Sequence, residues 1–101
     1  MTTPTHIANL NIQLIPIDTA SNAYPVIDKA IALITGSGLP FRVGPFGTTV
    51  QGPYAALQSL VDQINSSLQQ AGQAEWVLNL QWHIKACEDV LMDDKTNKFN
   101  Q

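Results

Sequence analysis

Asn9, Asn11 and Gln13 place an amide at every second position near the start of the chain, and Asn79, Gln81 and His83 repeat that spacing near its end. Amides both donate and accept hydrogen bonds. A surface that gathers several of them almost without charge suits a neutral heterocycle with a mixed edge, such as an aminopyrimidine. The same surface equally suits the matching face of a second subunit, and a pocket at a subunit boundary would satisfy both readings. Between the two sets lie Arg42, Thr49 and Gln51. Arg42 is the sole arginine, fit to hold a phosphate or carboxylate or to pair with an acid of the chain itself.

Those residues converge only if the intervening elements bring them together. From Ile7 to Ile17 the chain alternates, with Leu10, Ile12 and Leu14 on one side and the amides on the other, which is a strand with one buried face. Asp18 to Asn22 has the composition of a turn. Pro25 suits a first helical turn; Ile27, Ala30, Ile31 and Ile34 then recur at helical spacing, and Gly36 and Gly38 stop the helix. The stretch from Gly38 to Gly52 reads as a strand, a Gly-Pro-Phe-Gly turn and a second strand. Pro53 opens a second helix with a stripe of Leu57, Leu60, Val61, Ile64 and Leu68, ended by Gly72. Trp76 to Ile84 is the last strand, its even positions apolar. The tail beyond it allows a turn of helix at Asp89 to Asp94 and then becomes polar, like the lead-in from Met1 to Thr5.

Strand, helix, strand, strand, helix, strand is the order of a ferredoxin-like α+β sandwich, a βαββαβ chain with a four-stranded antiparallel sheet and two helices on one face. In that topology the last strand lies beside the first, so Asn79, Gln81 and His83 join Asn9, Asn11 and Gln13. If Val50 points into the core, Thr49 and Gln51 flank them from the other side. The 101 residues make a single domain, with its core over about residues 7–86.

Composition narrows the partners. Charged residues are 13% of the chain and apolar residues 45%, a sparse charge that hints at a surface covered by another copy. A net charge of −3 with five scattered cations argues against nucleic acid and anionic membranes. No apolar run reaches the length of a bilayer span, and no charged start followed by an apolar core marks a signal peptide. Cys87 is the single cysteine, so a reduced, cytoplasmic setting is expected.

The central segment resembles that of the thiamine-binding protein family of small YkoF-like domains. The matching residues are Gly38-Leu39 with Phe41, then Pro45-Phe46-Gly47-Thr48, then Gln51-Gly52, and the resemblance extends over roughly residues 7–86. It implies the same ferredoxin-like fold, binding of thiamine or its hydroxymethylpyrimidine portion without catalysis or a cofactor, and assembly as a homotetramer of paired sheets. It adds Thr48 as the counterpart of the family threonine. Two positions depart: Gln51 stands where a glutamate is usual, and Phe46 where methionine is common. Losing that charge favours an uncharged ring over the thiazolium cation.

The candidate ligand-binding set is therefore Thr48, Thr49, Gln51 and Phe46, with Asn11, Gln13, Gln81, His83 and Arg42 around them. Phe46, at a hairpin turn, would stack, and the hydroxyls and amides would bond the ring edge. His6 and His83 have no metal-ligand spacing with Cys87 or an acid. Asp28, Asp62, Glu75 and Asp18 do not converge on the amide face, so acid–base catalysis has no obvious partners. Two other readings stay open: an assembly or regulatory module without a ligand, and a cofactor-free enzyme working through His83.

Overall fold

The computed structural model describes residues 3–17 and 24–99; the turn expected at Asp18 to Asn22 and the first two residues of the lead-in lie outside them. Strand β1 (Ile7–Ile17) is followed by helix α1 (Tyr24–Gly36), β2 (Phe41–Val43), β3 (Thr48–Pro53), α2 (Tyr54–Gln70), β4 (Glu75–His83) and a short α3 (Met92–Thr96). The sheet runs β2-β3-β1-β4 with every pairing antiparallel, the ferredoxin-like arrangement.

β1 sits inside the sheet because its even positions are apolar and small or branched. Ala8, Leu10 and Ile12 lie opposite Gly52, Val50 and Thr48 of β3, and all three are buried. The α2 stripe closes over them, with Leu57, Leu60, Val61, Ile64 and Leu68 all inside the core, joined by Ala30 and Ile34 of α1. Tyr54 at the start of α2 packs its ring 5.0 Å from that of Trp82 on β4. Burying one such stripe contributes roughly 1.5–3 kcal/mol per large side chain.

The helix ends have local causes. At α2 the Gln73 amide donates to Leu68 O and the Gly72 amide to Gln69 O, with Gly72 at φ +80°, a Schellman ending that a side chain would strain. Gln73 then donates its side-chain amide to Ile17 O, tying the turn to the end of β1. The hairpin between β2 and β3 closes through the Gly44 amide on Gly47 O at 2.8 Å.

The last strand begins and ends one residue earlier than its alternation suggests, and Ile84 falls beyond it, partly exposed. A larger difference lies further on. The segment after β4 is not a free polar tail: Val90 and Met92 are buried, and the Val90 amide donates to Ile7 O. The chain doubles back across the face of the sheet that carries no helix.

Gly47 is where the hairpin meets β1. A Cβ there would stand 2.9 Å from Ile12 O and 3.0 Å from Asn11 Nδ2. Gly47→Ala should therefore destabilise the fold by about 1–3 kcal/mol in urea unfolding, the cost of overpacking against backbone. Gly36→Ala, where a Cβ meets open space, should stay within about 0.5 kcal/mol of the parent chain.

Candidate functional site

Alternation along four strands places one set of side chains on the face opposite the helices. The pairing brings Asn9 level with Gln51 and His83, Asn11 level with Thr49 and Gln81, and Arg42 beside Thr49. Thr49 donates its hydroxyl to Asn11 Oδ1 at 3.2 Å, and Asn79 donates to Gln13 Oε1 at 3.1 Å. The amide face expected from the sequence is thus assembled.

The returning C-terminal segment covers one end of it, held mainly by its own backbone groups. Asn9 Nδ2 donates to Val90 O at 2.9 Å, and the Met92 amide donates to Gln51 Oε1 at 2.7 Å. Upstream, Asp89 Oδ1 accepts from the Ile7 amide at 2.9 Å and lies 3.2 Å from His6 Nδ1. Downstream, the Arg42 guanidinium pairs with Asp93. These contacts pin residues 89–93 over the sheet, and a cavity of about 540 Å³ lies between the two. That volume falls in the range of roughly 300–1,000 Å³ usual for small-molecule sites.

Five of the nine residues expected at the site line this cavity: Asn11, Arg42, Thr49, Gln81 and His83. The other four lie elsewhere. Thr48 is buried on the helix side of β3, because neighbouring residues of a strand face opposite ways and Thr49 already faces the cavity. Gln51 faces the right way, but its carbonyl is occupied by Met92 and it fastens the segment instead of meeting the cavity. A glutamine serves there as well as a glutamate, since only an acceptor is used. Gln13 lies further along the sheet, bonded to Asn79. Phe46 is 81% exposed at the hairpin tip and borders a shallower recess that shares Asn11, Arg42 and Thr49 with the main cavity.

The remaining walls are Asn9, Trp82 and three residues of α3, Met92, Lys95 and Thr96. The α3 residues escaped the sequence argument because a helix of 5 residues is too short to show a period, and the stretch before it is held by backbone bonds. The run Val90-Leu91-Met92 inside an acidic tail was the available signal.

Charge on the lining comes from Arg42 and Lys95. Burial, followed by the nearby charge of Lys85, holds the Lys95 ammonium below its ordinary value. Among the described residues no cluster of three or more His, Cys, Asp or Glu could hold a metal ion.

Comparison with known proteins agrees with this architecture. The pattern of the family described as thiamine-binding protein matches residues 10–100. The UPF0045 protein CPE1503 of Clostridium perfringens is 30% identical over 91 residues, covering 90% of this chain and 95% of that one. A domain of unknown function, DUF77, from Bacillus cereus superposes with a TM-score of 0.86 at 25% identity, covering 94% of this chain and 91% of that one. A candidate thiamine biosynthesis/salvage protein from Thermotoga maritima superposes with a TM-score of 0.84 at 28% identity, covering 92% and 98%.

The Asp89 carboxylate is held below its ordinary value of 3.8, first by the Ile7 amide and then by His6. A depressed folded-state value means that its hold on the segment is complete above the ordinary aspartate range and is lost as pH falls through the depressed value. Amide protection factors of Val90 and Met92 should accordingly stay constant down to the aspartate range and drop below it. Asp89→Asn should weaken that acid-dependent step.

Proposed function

The chain belongs to the thiamine-binding protein family, and on that footing we propose that it is a non-catalytic binding protein for the hydroxymethylpyrimidine portion of thiamine. The observation that carries this reading is the amide-rich cavity between the open sheet face and residues 89–96. An aminopyrimidine presents ring nitrogens that accept and an amino group that donates. The side chains of Gln81 and His83 make no hydrogen bond among the described residues, which leaves them available to such an edge.

Sign of charge decides between the pyrimidine and whole thiamine. Arg42 is already paired with Asp93, and Lys95 already bears a penalty for its charge. A thiazolium cation would meet Lys95, whose charge no carboxylate of the lining offsets, whereas an uncharged pyrimidine meets no such repulsion. Phe46, outside the main cavity but above the adjoining recess, is positioned to cover a substituent that extends from the ring. His83 is the one imidazole on the lining, and no carboxylate joins it there to complete an acid–base pair, so binding fits the lining better than turnover.

Self-association belongs to the same reading. Beyond the cavity the open face carries the Gln13–Asn79 pair beside Ile15 and Val77, two apolar residues level with one another and 41% and 40% exposed. We take this patch as the surface through which sheets pair, with two such pairs forming a homotetramer in the cytoplasm. The cavity stands next to that boundary.

Isothermal titration with hydroxymethylpyrimidine and with thiamine, alongside light scattering of the same sample, tests the reading. Saturable binding of the pyrimidine at one site per chain, tighter than that of thiamine, by a particle of four chains is the expected result. A folded oligomer that takes up neither ligand would replace the binding reading with a purely structural role.

A further inference from the structure

Asn9 poses a problem that the fold alone does not answer. It is 3% exposed in the central strand of the sheet and lines the cavity. Its Nδ2 is committed to Val90 O, but its Oδ1 is buried and accepts no hydrogen bond. The orientation of the amide is set by that first bond. Turning it over would bring two oxygens together at Val90 and leave the amino end as the orphan instead. Buried polar atoms without a partner are rare enough to call for a specific cause, and one that lines a cavity has an evident candidate in the cavity's occupant.

We infer that Asn9 is the specificity-determining acceptor of the site, its Oδ1 receiving the exocyclic amino group of the bound pyrimidine. This rests on the pyrimidine reading above and sharpens it to a class: ring ligands that donate at that edge, and not their oxo counterparts. Asn9 is placed for this role by both neighbours. Gln51, level with it on β3, has spent its own carbonyl on Met92, and His83 is level with it on β4. An unmade acceptor at this point rejects a ligand that presents a carbonyl, because two oxygens would then face each other with no proton between them. Oδ1 is buried as the chain stands, so an incoming amino group reaches it only with a local adjustment of the wall beside it. The same amide holds Val90 through its nitrogen, so it meets the C-terminal segment with one end and the ligand with the other.

Two probes differing only at that position test this: hydroxymethylpyrimidine with its amino group, and its oxo analogue. The chain as it stands should bind the amino form about ten- to a hundredfold more tightly. Asn9→Ala should bring the two affinities to within a few-fold of each other. Because loss of the Val90 bond alone weakens both ligands alike, the ratio, and not either affinity, is the deciding readout. Should Asn9→Ala fail to fold, Asn9→Leu, which keeps the side chain's size and removes both polar atoms, takes its place with the same expected loss of the ratio. Equal binding of the two forms by the unaltered chain overturns the inference while leaving the pyrimidine reading intact. Binding of neither overturns both. A ratio that survives Asn9→Ala moves the selection to another residue and overturns the assignment.

Discussion

Everything in this molecule follows from the alternation of β1. The strand is hydrogen-bonded on both sides, to β3 and to β4, so neither of its faces can be exchanged without a one-residue slip of two pairings at once. Ala8, Leu10 and Ile12 are driven against the helices by burial, and that alone commits Asn9, Asn11 and Gln13 to the opposite face. The amides are not placed by any interaction of their own. They are carried there by the core, and this lets a polar surface stay rigid enough to recognise a ligand edge.

An open amide face is then completed by the irregular stretch 89–91 and the short helix α3 that follows it. Residues 89–92 fasten to the sheet through hydrogen bonds with Asn9, Gln51 and the Ile7–Asp89 corner. Each such bond is worth only about 0.5–1.5 kcal/mol net. The cap is therefore held firmly enough to define a cavity, through bonds that are individually weak. The Arg42–Asp93 pair, with both side chains more than half exposed, adds little to that hold in water. Its consequence is electrostatic: it offsets the charge of the guanidinium, while among the described residues no acid pairs with Lys95 on the wall.

Much of this was legible in the sequence. Period two in Ile7–Ile17 and the five-residue stripe of α2 are strong signals, since each is repeated several times and each matches a single geometry. The facing of Asn11, Gln81, His83, Arg42 and Thr49 followed from the topology. Thr48 and Thr49 could not both reach one face, and the resemblance to the family outweighed that arithmetic. Gln51 lies on the expected side of the sheet, but its carbonyl meets Met92, and nothing periodic announces a tail that docks through backbone groups. The importance of Asn9 was hidden for the same reason: as one amide among three it had no distinction until Val90 took its nitrogen and left its oxygen alone.

The central claim is that ligand is held between the sheet and the C-terminal segment, and one side chain reports on it directly. The chain has two methionines, Met1 and Met92, and Met92 is buried on the cavity wall. With the methionine methyl groups labelled, hydroxymethylpyrimidine titrated to saturation should shift the Met92 methyl resonance, leave that of Met1 in place, and give intermolecular contacts between ligand protons and Met92. Saturable binding that leaves the Met92 methyl unmoved and without ligand contacts would put the site elsewhere on the fold and contradict this account.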